Sequence, residues 1–194
     1  MNGKNPFFNV DRAATTSDRD FLHRNLPVVG KHVHRVGLAF NFGIDGAGTE
    51  AALAAGINYL FWGKLWKGDQ HAVVKAALKQ DRERYVLDSG PWLGYFGGSI
   101  RRWAERILRS FDIEYIDVFQ LFWLGKAAAF THTVQTELVK LREEGLVRAL
   151  GVSIHDRKRA GRLVKDSPLD MLMIRYNAAH PGAEKDIFPS YKKR

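Results

Sequence analysis

Seven histidines, two aspartates set inside apolar runs, and a few lysines and tyrosines are the residues of this 194-residue chain that could do chemistry. His32 and His34 are close neighbours, and His71, His132, His155 and His180 are scattered. No two of the histidines have the spacing that puts two imidazoles on one helix face, so nothing points to a metal centre. Asp88 and Asp117, turned inward and paired, would make an acid–base couple, but structural hydrogen bonding is the plainer assignment. Lys64 and Lys67 flank Trp66; a lysine from this stretch would need an acid beside it, and Tyr95 is the nearest candidate. Gly43 to Gly48 is a glycine-rich turn holding Asp45, without the lysine and flanking pattern of a phosphate-binding loop. The chain has no cysteine, which removes disulfides, thiolate metal sites and cysteine nucleophiles.

These residues must be positioned by alternating elements. Asp112 to Trp123 carries the near-continuous apolar run Ile113, Tyr115, Ile116, Val118, Phe119 and Leu121, the pattern of a strand covered on both faces. Helical segments flank it over Ile100–Ser110, with Ser99 as cap, and Thr133–Glu144, stopped by Gly145. Further strands are expected over Val36–Phe42, Ile57–Trp62, Tyr85–Ser89, Leu146–Val152 and Leu169–Arg175. Helices are expected from Thr49 to Ala55, from Asp69 to Lys79, and from Asp156 to Lys165, each opened by its capping residue. Strand and helix in alternation predict a parallel sheet. Upstream, Leu26–Val29 and Val33–Val36 read as a β-hairpin turning at Gly30-Lys31, and residues 1–23 as a polar arm. Residues 24–194 form one domain, and beyond Tyr176 no further strand is expected. Six strand–helix units wind into an incomplete (βα)8 barrel or an open doubly wound sheet, and pattern alone does not choose.

In either architecture ligands sit beyond the carboxyl ends of the strands. Phe61, Trp62, Trp66, Trp92, Tyr95, Phe96, Phe122 and Trp123 gather at those ends. They suit an apolar pocket for a flat ligand, although core and loop packing is the plainer explanation. His155 and His180 lie nearest the same end, with surface or hydrogen-bonding roles expected for both.

Composition is that of an ordinary globular protein, 45% hydrophobic and 26% charged. No apolar run approaches the roughly 20 residues that cross a bilayer. The N-terminus has no apolar signal region and carries Asp11, Asp18 and Asp20, so a cytoplasmic protein is expected. The net charge of +9 would serve nucleic acid or a phosphorylated ligand. Its clusters at Arg101–Arg109 and Arg157–Lys165 are interspersed with apolar residues, as solvated helix faces are, and nucleic-acid binding is not expected.

Several segments together resemble the aldo-keto reductases. Ile107 to Trp123 is similar to that family's helix end and fourth barrel strand. VKLREEGLVRALGVS, Val139 to Ser153, is similar to its next helix, glycine stop and strand. Gly56-Ile57-Asn58-Tyr59-Leu60 and Arg175-Tyr176-Asn177 resemble segments at its second and sixth strands. The matches run in order from about Val36 to His180. The resemblance implies an α/β fold of the (βα)8 TIM-barrel type, here of about six units, with an N-terminal β-hairpin closing the bottom. It also implies hydride transfer from NADPH to a carbonyl. The family uses an aspartate, a tyrosine general acid, a lysine that lowers the tyrosine's pKa, and a histidine that orients the carbonyl. In this chain those four positions are occupied by Phe61, Trp66, Gly90 and Phe122. Of the residues that contact the nicotinamide, Ser153 is retained, Ile154 replaces an asparagine, and Met173 replaces a glutamine.

Three readings of function follow. The first is an oxidoreductase barrel, NADP-dependent by ancestry, without a working reductase site. The second is a binding or interaction module that uses the aromatic barrel top or the open sheet edges, which also invite self-association. The third is an enzyme of altered chemistry on the same scaffold. Two barrel strands and the family's phosphate-gripping loops are not found in the sequence, and a truncated gene product is favoured over completion by a partner or local rearrangement.

Overall fold

The computed structural model describes residues 21–63, 68–91 and 93–191. The arm expected over residues 1–23 lies outside them except for its last three residues, and so do Lys64, Trp66, Lys67 and Trp92.

A two-stranded antiparallel hairpin comes first, β1 (His23–Leu26) and β2 (Lys31–His34), in register His23↔His34 to Leu26↔Lys31. Six parallel strands follow in strict chain order: β3 (Leu38–Ala39), β4 (Tyr59–Trp62), β5 (Val86–Ser89), β6 (Ile116–Leu121), β7 (Val147–Ser153) and β8 (Met171–Met173). The helices between them are α1 (Gly46–Ala54), α2 (Asp69–Gln80), α3 (Gly97–Phe111), α4 (His132–Glu143) and α5 (Arg157–Lys165). Two single-turn helices, α6 (Ala183–Asp186) and α7 (Phe188–Tyr191), pack back towards α5. This is an incomplete barrel of six βα units with a hairpin, as the resemblance implies. Among the described residues, β3 and β8 are its edges.

The hairpin strands fall three and two residues earlier than expected. Pro27 supplies no backbone donor, which suits a turn rather than a strand, and Pro27–Gly30 form the loop. Val29 N–H bonds Leu26 C=O at 3.2 Å, and Gly30 takes the left-handed φ of 68° that closes the turn. Several other boundaries move for equally local reasons. α1 is opened by Asp45, whose carboxylate accepts from Gly48 N–H at 2.8 Å. Thr49 lies inside that helix, its hydroxyl donating to Asp45 C=O. Asp69 is the first residue of α2 rather than its cap, and accepts from Gly46 N–H at the mouth of α1, 2.8 Å away. Ser99 sits in the first turn of α3 and donates to Phe96 C=O. Thr131 caps α4 and Asp156 caps α5.

Side chains alternate across each strand, and the two faces have separate cores. Leu60, Trp62, Leu87, Phe119, Leu121, Leu150 and Val152 face the helix layer, where they meet Val74, Leu78, Ile100, Ile107, Leu138 and Val164. Trp62 therefore belongs to this outer core, edge-on to Phe111 at 5.0 Å, and not to a pocket at the strand ends. Val86, Val118 and Ala149 form the inner face and pack on Val29 and Val33 of the hairpin. The hairpin thus closes the interior at the N-terminal ends of the strands. Among the described residues no helix is long and apolar enough to cross a membrane.

Candidate functional site

The inner-face parity fixes which side chains reach the carboxyl end of the barrel. On β4 it selects Tyr59 and Phe61, on β5 Val86 and Asp88, on β6 Val118 and Gln120, and on β7 Ala149, Gly151 and Ser153. Pairing aligns Phe61, Asp88, Val118 and Ala149 across neighbouring strands, then Gln120, Gly151 and Met171, and finally Ser153 and Met173. Residues paired side by side in a parallel sheet share a face. The next residues on that face after β5 and β6 are Gly90 and Phe122.

Phe61 and Phe122 meet. Their rings are 4.9 Å apart at 71°, an edge-to-face contact, and Phe122 is 5% exposed. Gly90 is buried between strands. A Cβ placed on it would lie 1.6 Å from the carbonyl oxygen of Gln120, so this backbone admits no side chain there. Three of the four positions that the resemblance assigns to catalysis are therefore drawn to one end of the barrel, and they hold two rings and a gap. The fourth, Trp66, lies outside the described residues. Ser153 is half-buried at the top of β7, and its carbonyl accepts from Leu124 N–H at 2.8 Å. Ile154 is buried among the apolar residues under the helices, with its N–H on Met173 C=O.

Two residues before Phe61, Gly90 and Phe122, each on its own strand, the inner face carries Tyr59, Asp88 and Gln120. Asp88 is fully buried, and its Oδ2 accepts from Tyr59 Oη at 2.7 Å and from the Gln120 side-chain amide. Burial pushes the Asp88 carboxyl up to about 7, against the pull of the two donated hydrogen bonds. Burial and the neighbouring Asp88 raise the Tyr59 phenol well above its ordinary value. Tyr59 therefore holds its proton and donates to Asp88. Asp88 Oδ1 is buried and meets no hydrogen-bond partner among the described residues.

Asp117 is not paired with Asp88. It sits near the bottom of β6, where Lys31 Nζ of the hairpin is 2.7 Å from Oδ1, Arg82 is 2.6 Å from Oδ2, and Leu87 N–H donates to Oδ2 at 2.9 Å. Lys31 also donates to Tyr85 C=O at 2.8 Å and Arg82 C=O at 2.9 Å. Desolvation lowers its pKa, and Asp117 opposes that shift. Arg148 and Arg82 stack on the Tyr115 ring at 3.6 and 4.0 Å. This cluster fastens the plug to the barrel floor.

The remaining expectations divide clearly. Tyr95 donates to Lys126 C=O and helps join the loop after β5 to the loop after β6, a junction completed by Gly94 N–H on Ala127 C=O at 3.0 Å. His155 and His180 are exposed, and His180 bonds Asn177 Oδ1 at 2.9 Å. His71 is a core histidine, stacked on Phe111 at 4.5 Å with Nε2 2.7 Å from Ser110 Oγ. Exposed apolar side chains do collect on the loops at the carboxyl end: Phe42 at 87%, Phe96 at 75%, Leu93 at 68% and Trp123 at 47%. Among the described residues no cluster of three or more acidic or histidine side chains is arranged to hold a metal ion. Tyr59 and Gln120 were not singled out from the sequence. The available signal was period two, because Tyr59, Asp88 and Gln120 each stand two residues before Phe61, Gly90 and Phe122 and so share their face.

Comparison with known proteins agrees with the fold. The profile of the aldo/keto reductase family matches residues 48–194. The NADH-specific methylglyoxal reductase of Escherichia coli K12 is 27% identical over 93 residues, which are 47% of this chain and 28% of that protein. Among solved structures, the glycerol dehydrogenase of Gluconobacter oxydans superposes with a TM-score of 0.69 at 24% identity, over 89% of this chain and 60% of that one. An aldo/keto reductase of Klebsiella pneumoniae, solved with NADP and acetate, gives 0.67 at 25% identity, over 84% and 62%. An aldo-keto reductase of Bacillus halodurans in its holo form gives 0.65 at 23%, over 79% and 57%. The chain thus spans about three-fifths of the length of these solved structures.

Proposed function

The chain belongs to the aldo/keto reductase family, and we propose that it keeps the family's barrel as a binding scaffold without the family's hydride-transfer site. The observation that carries this reading is the top of β4–β6. Reduction of a carbonyl needs a proton donor and a nearby positive charge at the strand ends. Phe61 and Phe122 supply neither, and the Gln120 carbonyl closes the space in which a lysine at position 90 would stand.

NADP(H), the cofactor of the resembled family, fits these residues poorly. Of the three positions compared with the family's nicotinamide contacts, Ser153 offers a polar side chain. Ile154 is turned into the helix-side core instead of presenting an amide, and Met173 carries no donor. No step is therefore assigned through a nicotinamide. The side chains left for binding at this end are the exposed Phe42, Leu93, Phe96 and Trp123 on the loops after β3, β5 and β6.

The reading is tested by cofactor fluorescence. Titration of NADPH and NADH into the purified protein is expected to give no saturable quenching or transfer from tryptophan. Saturable binding at micromolar cofactor overturns it.

A second reading, self-association through the open edge, rests on β8. This three-residue edge strand borders a mostly apolar cavity of about 770 Å³, whose lining includes Leu26, Leu163, Met171, Ile187 and Phe188. Light scattering on the purified protein is expected to show a defined oligomer. A stable monomer at high micromolar concentration contradicts it.

A further inference from the structure

The hairpin carries three histidines on one face. β1 and β2 set His23 opposite His34 and Asn25 opposite His32. Side chains alternate along a strand, so these four share the face turned away from Lys31 and Val33, which are buried against the barrel. The His23–His34 rung is of the non-hydrogen-bonded kind. Arg35 N–H donates to Leu22 C=O at 2.8 Å on the next rung, and antiparallel rungs alternate. His34 N–H and His32 C=O meet the Asn58 side chain instead, at 2.7 and 2.9 Å. Opposed side chains come closest at such rungs, and the His23 and His34 ring centroids are 5.2 Å apart at 88°. Two imidazoles that each place a nitrogen about 2 Å from one tetrahedral ion have their centroids roughly 5 Å apart. His32 is 5.3 Å from His23 but nearly parallel to it, at 22°, which is the geometry of stacking.

A second observation concerns His34 alone. Its Nδ1 lies 3.1 Å from Val36 C=O and 3.0 Å from Val36 N–H. One neutral form donates Nδ1–H to that carbonyl and leaves a lone pair on Nε2. The other accepts the N–H at Nδ1 and carries its own proton on Nε2. The first is the arrangement of a metal-bound histidine, whose second nitrogen donates to a carbonyl or carboxylate. We propose that His23 and His34 bind a divalent zinc, nickel or copper ion across the two strands of the hairpin, with His34 in its Nδ1–H form and water completing the coordination. Imidazole suits these ions, whereas magnesium and calcium take oxygen ligands. Both histidines are half-buried rather than enclosed. Gly56, beside His23, brings no side chain to the site, and a Cβ there would lie 4.0 Å from His23 Nε2. A two-histidine site is distinct from a cluster of three or more ligands, which the described residues do not form. The bound ion ties β1 to β2 and so stabilises the hairpin that closes the barrel, because a ligand held by the folded form alone favours it. The site is at the opposite end of the barrel from Phe61 and Phe122 and goes beyond the scaffold reading. Spacing along the chain does not reveal it, since the two histidines meet only through the hairpin register.

The test follows the histidine rings themselves. Untagged protein with 15N-labelled histidine rings is titrated with zinc chloride at neutral pH, with magnesium chloride as the control, and the ring nitrogens are followed by long-range 1H–15N NMR. Signals are assigned by their loss in His23→Gln, His32→Gln and His34→Gln. The expected result is a saturable displacement of the His23 and His34 signals at micromolar zinc, with His34 taking the Nδ1–H pattern, and no response to magnesium. Thermal unfolding is expected to shift upward by several degrees with zinc in the parent protein and in His32→Gln, and not in His23→Gln or His34→Gln. His23 and His34 signals indifferent to excess zinc, a zinc-bound His34 in the Nε2–H form, or an undiminished thermal shift in His34→Gln overturns the proposal. The NMR titration of the parent protein decides the matter if a variant does not fold.

Discussion

Gly90 and the Gln120 carbonyl leave each other no room. At 1.6 Å the clash of an added Cβ is with backbone, so relief requires β5 and β6 to move apart. Gly90→Ala is expected to lose about 3 kcal/mol or more in urea denaturation, at the upper end of overpacking effects. Gly90→Lys is expected to lose at least as much and to gain no carbonyl reduction. The Asp88 acid gives stability a direction with pH. Its carboxyl is raised from 3.8 to about 7 in the folded chain, so between those values the folded state holds the proton that the unfolded state has released. Its contribution is then fully present below about pH 4 and is lost as pH rises through 7, a change of up to roughly 4 kcal/mol. Asp88→Asn, which resembles the neutral acid at every pH, is expected to be more stable than the parent protein at pH 8, with the difference shrinking towards pH 4. Thermal unfolding across that range measures it, and a pH-independent difference would contradict the protonated assignment.

At the scale of elements, the hairpin is held to the barrel by charge as well as by valines. Lys31 and Asp117 are both buried and 2.7 Å apart. Removing one member of such a pair strands the other. Lys31→Met is expected to cost about 3 kcal/mol in chemical denaturation, the low end of that range because Arg82 still faces Asp117. At α1, Asp45→Ala is expected to cost about 1 kcal/mol and Thr49→Ala less, since the carboxylate and not the hydroxyl takes the orphan N–H of Gly48. Strand–helix order was legible in the sequence because apolar runs and glycine stops are local. The caps were less so. Asp69 has the residue type of a cap for α2, yet its carboxylate reaches Gly46 at the start of α1, a tertiary contact that no spacing along one helix encodes. Trp62 shows the same limit, because an aromatic at a strand end faces either the helix layer or the barrel interior according to parity, and parity is set by the neighbouring strands.

For the whole molecule, the six-strand arc and its bottom hairpin were readable from the ordered resemblances, and so was the gathering of Phe61 and Phe122 at the strand ends. The inner triad was not, because hydrogen bonds among Tyr59, Asp88 and Gln120 require the register of three strands at once. Under the proposed function, the barrel serves as a scaffold whose strand ends from β4 to β6 are apolar. The most direct measurement is a single-turnover assay with the protein in excess over NADPH, followed by nicotinamide absorbance after addition of methylglyoxal or glyceraldehyde. The predicted result is a decay no faster than in protein-free buffer. A protein-dependent decay that saturates with aldehyde, and persists in a Phe61→Ala variant shown to be folded, would contradict the claim.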